Sequence, residues 1–206
     1  DVMLAVGVSR PYPLYTQMGF AQLRALSPTG TCSPFDEAGN GLVVGEGAGI
    51  FVLKRLDDAI ADGNTIHGVI RSIGLSNDVG GRLLAPTSEG QLRAMRAAYA
   101  VAGWEPESVG LVECHATGTA VGDAIEVESL KQLWAETKWS PAQCTLGSVK
   151  SNIGHTLTAA GSAAMLKAVL ALKHKQLPPT ASYKHSPESW NLGESPFVVR
   201  SAPEAW

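Results

Sequence analysis

Glu113-Cys114-His115-Ala116-Thr117-Gly118-Thr119 follows the short apolar run Val109 to Val112 and precedes a stretch with helical spacing. Asp123 and Glu126 stand where an N-cap and its N3 partner would, ahead of Val127, Leu130, Leu133 and Trp134. A second stretch repeats the arrangement. Ser148-Val149-Lys150-Ser151-Asn152-Ile153-Gly154-His155-Thr156 follows the apolar run Cys144 to Val149 and leads into a helix expected from about Thr158 to Leu172. Strands alternating with helices predict βαβ crossovers and a sheet covered on both faces, an α/β fold.

Outward from these two loops the pattern continues. Ser88 and Gln91 have capping-box spacing, Leu92, Met95, Tyr99 and Ala102 mark one helical face, and Gly103 closes it. The Thr158 to Leu172 helix is apolar on most of its surface and is expected to be buried on several sides. Residues 2–8 read as a buried strand, Ile50 to Leu53 as another, and Ile66 to Leu75 as a strand paired with Ile50 to Leu53. Asp57 to Asp62 suits a short helix closed by Gly63. Residues 11–41, rich in Pro, Gly, Ser and Thr, read as irregular with one helical turn near Phe20 to Leu26. Phe197-Val198-Val199-Arg200 makes a last strand.

Composition narrows the function classes. The chain has 206 residues, 45% apolar and 17% charged, with a net charge of −3. That balance gives no pull toward nucleic acid or an anionic membrane. No apolar run is long enough to cross a bilayer, and no basic segment precedes the apolar start as in a signal peptide. Cys32, Cys114 and Cys144 are odd in number and none has C-x-x-C spacing, which points to free thiols and a cytoplasmic setting. No histidine pair has metal-ligand spacing, so no metal site is expected. The abrupt ends at Asp1 and Trp206 give the chain the look of an excerpt from a longer polypeptide.

The two loops carry the chemistry. Ligands of α/β folds bind at the C-terminal ends of strands. His115 there can exchange a proton near neutral pH, and Thr117 and Thr119 can hydrogen-bond an extended polar ligand. The same segment also fits a plain capping turn with a satisfied histidine, and its spacing alone does not choose. Lys150 and His155 bracket a small-residue turn before a helix, an arrangement receptive to a carboxylate or an enolate oxygen. The glycines of Gly39 to Gly49 have neither dinucleotide-fingerprint nor P-loop spacing, and are read as allowing close backbone approach. Cys114 beside His115 is not read as a nucleophile–base pair, because neighbouring strand side chains diverge.

Taken in order, Leu26-Ser27-Pro28 with Phe35-Asp36, Gly45-Glu46-Gly47, His115 to Thr119 with Gly122-Asp123 and Glu126, and Lys150 to His155 resemble the β-ketoacyl synthases of the thiolase superfamily. The wording of the last motif most resembles synthase domains of type I polyketide synthases. The resemblance implies a thiolase-like αβαβα layered sandwich, of which this chain is the C-terminal half with a mixed five-stranded sheet. On that division, residues 1–8 are the last strand of the N-terminal half, 9–49 an insertion lining the active site and dimer region, and 50–206 the C-terminal half.

The implied reaction is decarboxylative Claisen condensation of an acyl thioester with malonyl-acyl carrier protein, in polyketide or fatty-acid elongation. His115 and His155 match the family's catalytic histidines, Lys150 the lysine that positions His115, and Thr117 and Thr119 the residues binding the carrier's phosphopantetheine. Phe35 is expected near the acyl pocket. No cofactor is bound directly; the substrates ride on phosphopantetheine of acyl carrier protein or CoA. The implied partners are acyl carrier protein and a second copy in a homodimer. The family's Ala-Cys-Ser-Ser nucleophile turn does not occur in these residues, so the resemblance places it upstream of Asp1 and leaves the isolated chain inactive. Ala116 and Ala124 stand where many members have glycine and proline. Two rival readings are a non-catalytic partner of the chain-length-factor kind and a degradative thiolase. Both histidines being present favours the synthase over the first, and the Lys150 to His155 wording favours it over the second.

Overall fold

A computed structural model describes residues 1–10, 14–79 and 86–206. Strand β1 (Val2–Ser9) is followed by helix α1 (Leu14–Gln22), an irregular stretch, and strand β2 (Gly47–Lys54). β1 and β2 pair antiparallel from Val2 opposite Lys54 to Ser9 opposite Gly47. Gly7 and Gly49 face each other in that register. A Cβ on Gly7 would meet Ser162 Oγ at 2.5 Å, and one on Gly49 would meet Ser162 Cβ at 2.6 Å, so both glycines let the ribbon approach that residue closely. Next come α2 (Leu56–Ala61), closed by Gly63 at φ +64°, and α3 (Ser88–Ala102).

The centre is a parallel three-stranded sheet. Its strands are β3 (Leu111–Glu113), β4 (Cys144–Gly147) and β6 (Phe197–Val199), in the order β3-β4-β6. Helix α4 (Ala120–Trp134) connects the first two. The short α5 (Lys150–Ile153), α6 (Ala160–His174) and strand β5 (Gln176–Leu177) lie between the second and third. β5 pairs antiparallel with the closing strand β7 (Glu204–Ala205). All four residues of β4 are buried, as expected of a central parallel strand covered on both faces. The core gathers Val127, Leu130, Leu133 and Trp134 of α4 against Leu146, Phe197 and Val199, with Leu92 of α3 at its edge. Trp134 meets Phe197 edge-on, ring centroids 5.2 Å apart. Each such side chain contributes about 1.5–3 kcal/mol by leaving water. This packing fixes the ends of β3 and β4, from which the two loops emerge.

Several expectations need correction. β1 is not buried: Val2, Met3, Leu4, Val6 and Val8 are all exposed, because no described element covers the ribbon's open face. α6 buries only Ala171 fully, and Leu166, Leu170 and Leu172 stay exposed for the same reason. Ile66 to Leu75 joins no ladder. It runs along α3, with Ser72 Oγ donating to the Ala98 carbonyl and Gly74 set tightly against Ala94. An apolar run marks a segment as extended but does not name its neighbour, and β2 already pairs with β1. The described strands therefore form a parallel triplet and two antiparallel pairs, not one five-stranded sheet.

Helix boundaries shift as well. The helical turn expected near Phe20 to Leu26 is the longer α1, which starts at Leu14 and ends before Arg24 turns to φ +53°. The part of that reading covering residues 11–13 lies outside the described residues. α3 is preceded by Thr87 as its N-cap rather than starting with Ser88 in that role. α6 starts at Ala160, after a 3-10 turn at Leu157–Ala159.

Candidate active site

The first loop leaves β3 at Glu113, and Cys114 N–H still donates to the Gly147 carbonyl of β4 at 2.8 Å. Beyond that point the backbone donors turn toward α4. Glu126 accepts from His115 N–H at 2.7 Å and from Ala116 N–H at 2.8 Å. Asp123 accepts from Thr117 N–H, Gly118 N–H and, across the chain, Phe35 N–H, at 3.0 to 3.2 Å. Spaced three apart, these carboxylates share one helical face. Their spacing predicts a cap for α4, but that helix begins at Ala120 with Thr119 at its N-cap. Their work is to cradle the preceding loop. Burial pushes both carboxyls up, and the backbone donors offset only part of that rise.

The second loop is stitched to the first. Ser148 Oγ donates to the Ala116 carbonyl at 2.7 Å, and Val149 N–H donates to Glu113 at 2.5 Å. Lys150 is only 3% exposed, and its ammonium points at the Cys114 carbonyl, 3.4 Å away. It opens the single turn of α5, so it does not sit at the start of the long helix as its sequence position implied. His155 pairs with the glycine-rich stretch: its N–H donates to the Val43 carbonyl at 2.7 Å, and Gly45 N–H returns to the His155 carbonyl at 3.0 Å. Here the close-approach reading of those glycines holds, since a Cβ on Gly45 would lie 2.1 Å from the Ile153 carbonyl oxygen.

The two loops bring His115 and His155 together. Their ring centroids lie 5.3 Å apart at 80°, edge to face. His155 Nδ1 accepts the Leu157 N–H at 3.1 Å. The proton of the neutral ring therefore belongs on Nε2, which stays available as a donor. Burial, then the neighbouring His115, then Lys150 hold the His155 pKa down to about 4. Burial and Lys150 also lower His115. Lys150 is itself lowered by burial, while Glu113 and Glu126 partly restore it. The arrangement is two neutral imidazoles beside a buried ammonium. It can donate hydrogen bonds to an oxygen that becomes negative and oppose that charge with a cation at short range.

The remaining candidates divide. Thr117 and Thr119 stand side by side, hydroxyls 3.0 Å apart, in the same loop as His115. Phe35 is wholly enclosed within the core cluster at φ +63°, with its N–H held by Asp123. All three cysteines are free and buried. Burial raises Cys32, carries Cys144 to about 12 and takes Cys114 well above the usual thiol range, so none is poised as a thiolate. Among the described residues no cluster of metal-ligating side chains occurs, and no helix is long and apolar enough to cross a membrane. Nothing in the sequence pattern announces the roles of Asp123, Glu126 and Ser148 in holding the loops. The acidic pair was visible, but its spacing fits a capping box equally well.

Comparison with known families agrees with this geometry. Residues 67–184 match the family model for the β-ketoacyl synthase C-terminal domain, and residues 1–59 the model for its N-terminal domain. The chain belongs to the β-ketoacyl synthase family. It is 41% identical over 209 aligned residues to polyketide synthase PksL of Bacillus subtilis, an alignment covering 100% of this chain and 5% of that protein. It is 42% identical to a mycocerosic acid synthase-like polyketide synthase of Mycolicibacterium smegmatis, again over 100% of this chain and 10% of the relative. The ketosynthase from module 6 of the Bacillus subtilis bacillaene synthase superposes with a TM-score of 0.96 at 40% identity, covering 100% of this chain and 37% of that one. The fold is thus the thiolase-like one of ketosynthase domains. This ketosynthase chain spans about a third of the solved domain and a small fraction of the curated synthases it matches.

Proposed function

We propose that this chain supplies the decarboxylating and enolate-holding part of a ketosynthase that elongates polyketide chains. The observation that carries the reading is the pair of neutral imidazoles converging beside the buried Lys150 ammonium. Malonyl carried on acyl carrier protein binds with its thioester carbonyl oxygen facing the two rings. The bond from C2 to the carboxylate carbon breaks, carbon dioxide leaves, and the electron pair remains as an enolate. Nε2–H of His155 and a ring N–H of His115 donate to the enolate oxygen as its charge grows. C2 then attacks the carbonyl of an acyl thioester; a carbon–carbon bond forms and the enzyme thiolate departs. That thiolate comes from a part of the synthase outside these 206 residues, since the cysteines present are buried thiols.

Lys150 adds to burial in holding both histidines neutral, and it offsets the enolate charge. Thr117 and Thr119 hydrogen-bond the phosphopantetheine arm. Phe35 lies near the acyl pocket. Acyl carrier protein is the partner, the ketosynthase works as a cytoplasmic homodimer, and no cofactor beyond the carrier's own arm is needed. A role in fatty-acid elongation would use the same steps.

The test is His155→Ala in a complete ketosynthase carrying this sequence. Release of carbon dioxide from malonyl-acyl carrier protein should be abolished, while acyl loading stays largely intact. Carbon dioxide release at the wild-type rate would remove His155 from the mechanism.

A further inference from the structure

Behind the two histidines lies a charge pair that the reaction as written does not use. Glu113 ends β3, two residues before His115, and its side chain is 7% exposed. One carboxylate oxygen accepts the Val149 N–H at 2.5 Å. The other meets the Lys167 ammonium of α6 at 2.7 Å, and Lys167 is 11% exposed. Gly147, the last residue of β4, makes room for this contact: a Cβ there would stand 2.7 Å from Lys167 Nζ. Three elements therefore converge on one carboxylate: the strand that delivers His115, the turn that carries Lys150, and the helix that follows His155.

We propose that Glu113 and Lys167 are positioning residues, their buried ion pair holding the Lys150 turn and His155 in register with His115. The inference rests on the function proposed above. A surface pair could not do this, because screening and side-chain entropy would leave it near zero net strength. A buried pair is different. It need not add stability over an apolar substitute, but removing one partner strands a charge, and the pair fixes geometry while both remain. Val149 N–H, held by the same carboxylate, immediately precedes Lys150, so movement of Glu113 passes directly to the ammonium.

Lys150 reports on this arrangement. It faces Glu113 from β3, Glu126 from α4, Cys114 at the loop entrance and Cys32 from the irregular stretch, with both histidines beside it. Burial lowers its pKa, and Glu113 is the first of the groups that raise it again. Removing the Glu113 charge should move loss of the Lys150 proton, and with it the alkaline limb of activity, to lower pH.

The experiment uses a complete ketosynthase carrying this sequence, with Glu113→Gln, Lys167→Met and the double variant. Decarboxylation of malonyl-acyl carrier protein is followed alongside thermal unfolding, and His155 is followed by NMR. Each single variant should lose tenfold or more in kcat, with KM changed less than threefold. The double variant should be no slower than the worse single, since the pair acts as one unit. The alkaline limb should move to lower pH in Glu113→Gln but not in Lys167→Met, and the His155 resonance should shift in both.

If a single variant fails to fold because of the stranded charge, the double variant, which has none, gives the reading through the same tenfold loss. Folded variants with kcat within twofold of wild type and an unmoved His155 resonance would overturn the proposal, whatever their unfolding temperature. His155→Ala serves as the control. If it keeps carbon dioxide release, the proposed function fails, and the NMR shift alone then decides whether Glu113 and Lys167 position His155.

Discussion

Lys150 Nζ reaches the carbonyl of Cys114, the residue immediately before His115, so the cation of one loop is tied to the backbone that aims the imidazole of the other. The contact is buried, and the ammonium adds to burial in lowering both histidines. A cation that reinforces burial in keeping two bases neutral is an unusual use of charge. It raises the fraction of rings able to donate without being protonated, and on the proposed mechanism it stays available to oppose an enolate.

Lys150→Met should therefore raise the pKa of both histidines, since removing a nearby cation makes protonation easier. NMR titration of the imidazoles in a complete ketosynthase checks this. The sign also fixes a stability effect. The folded pKa of His155, about 4, lies below the ordinary imidazole value. His155 thus contributes stability that is fully present above about pH 6.5 and is lost as pH falls toward its folded value. Lys150→Met should narrow that window. Unchanged titrations would mean that burial alone depresses the rings.

Asp123→Asn keeps shape but replaces one of two acceptor oxygens with an amide donor. Three backbone N–H groups, those of Phe35, Thr117 and Gly118, share that carboxylate, so at least one is left without a partner. A cost of about 1–3 kcal/mol is expected. Denaturant unfolding should show it as a lowered midpoint with an unchanged slope.

Gly154→Ala tests the entry to His155. Gly154 has φ +71°, and a Cβ there would lie 2.8 Å from the Val43 carbonyl oxygen. Strain of about 1–3 kcal/mol at such a backbone position adds to the clash. Val43 is also the acceptor for His155 N–H, so activity should fall more than stability does. Equal losses in kcat and in folded fraction would place the effect in folding alone.

The 206-residue chain by itself should carry out no condensation with acyl and malonyl carrier substrates, because each of its thiols is sealed and protonated. Product detected by mass spectrometry would mean that one of these cysteines opens to substrate.

Much of the site was legible because it is local. His115 and His155 sit in loops whose flanking strands and helices are announced by apolar runs, and strands β3, β4 and β6 fall close to where those runs predict. What escaped was relational. Ile66 to Leu75 has the composition of a strand, yet its neighbour is a helix, and no pattern within the segment names a neighbour. β1 and α6 look buried because apolar side chains favour burial, but exposure depends on what else is present to cover them. Asp123 and Glu126 satisfy the helix-capping pattern and instead bind the loop before it, a choice settled by where that loop's free N–H groups point. Glu113 and Lys167 lie far apart in sequence, and only the fold brings them together.

The enclosed cysteines have a practical consequence. Cys32, Cys114 and Cys144 come from the irregular stretch, the residue just past β3 and the start of β4. An alkylating reagent can reach any of them only when that region breathes. Labelling resolved cysteine by cysteine would therefore measure how often each neighbourhood opens, turning three chemically silent atoms into clocks for local unfolding around the two histidine loops.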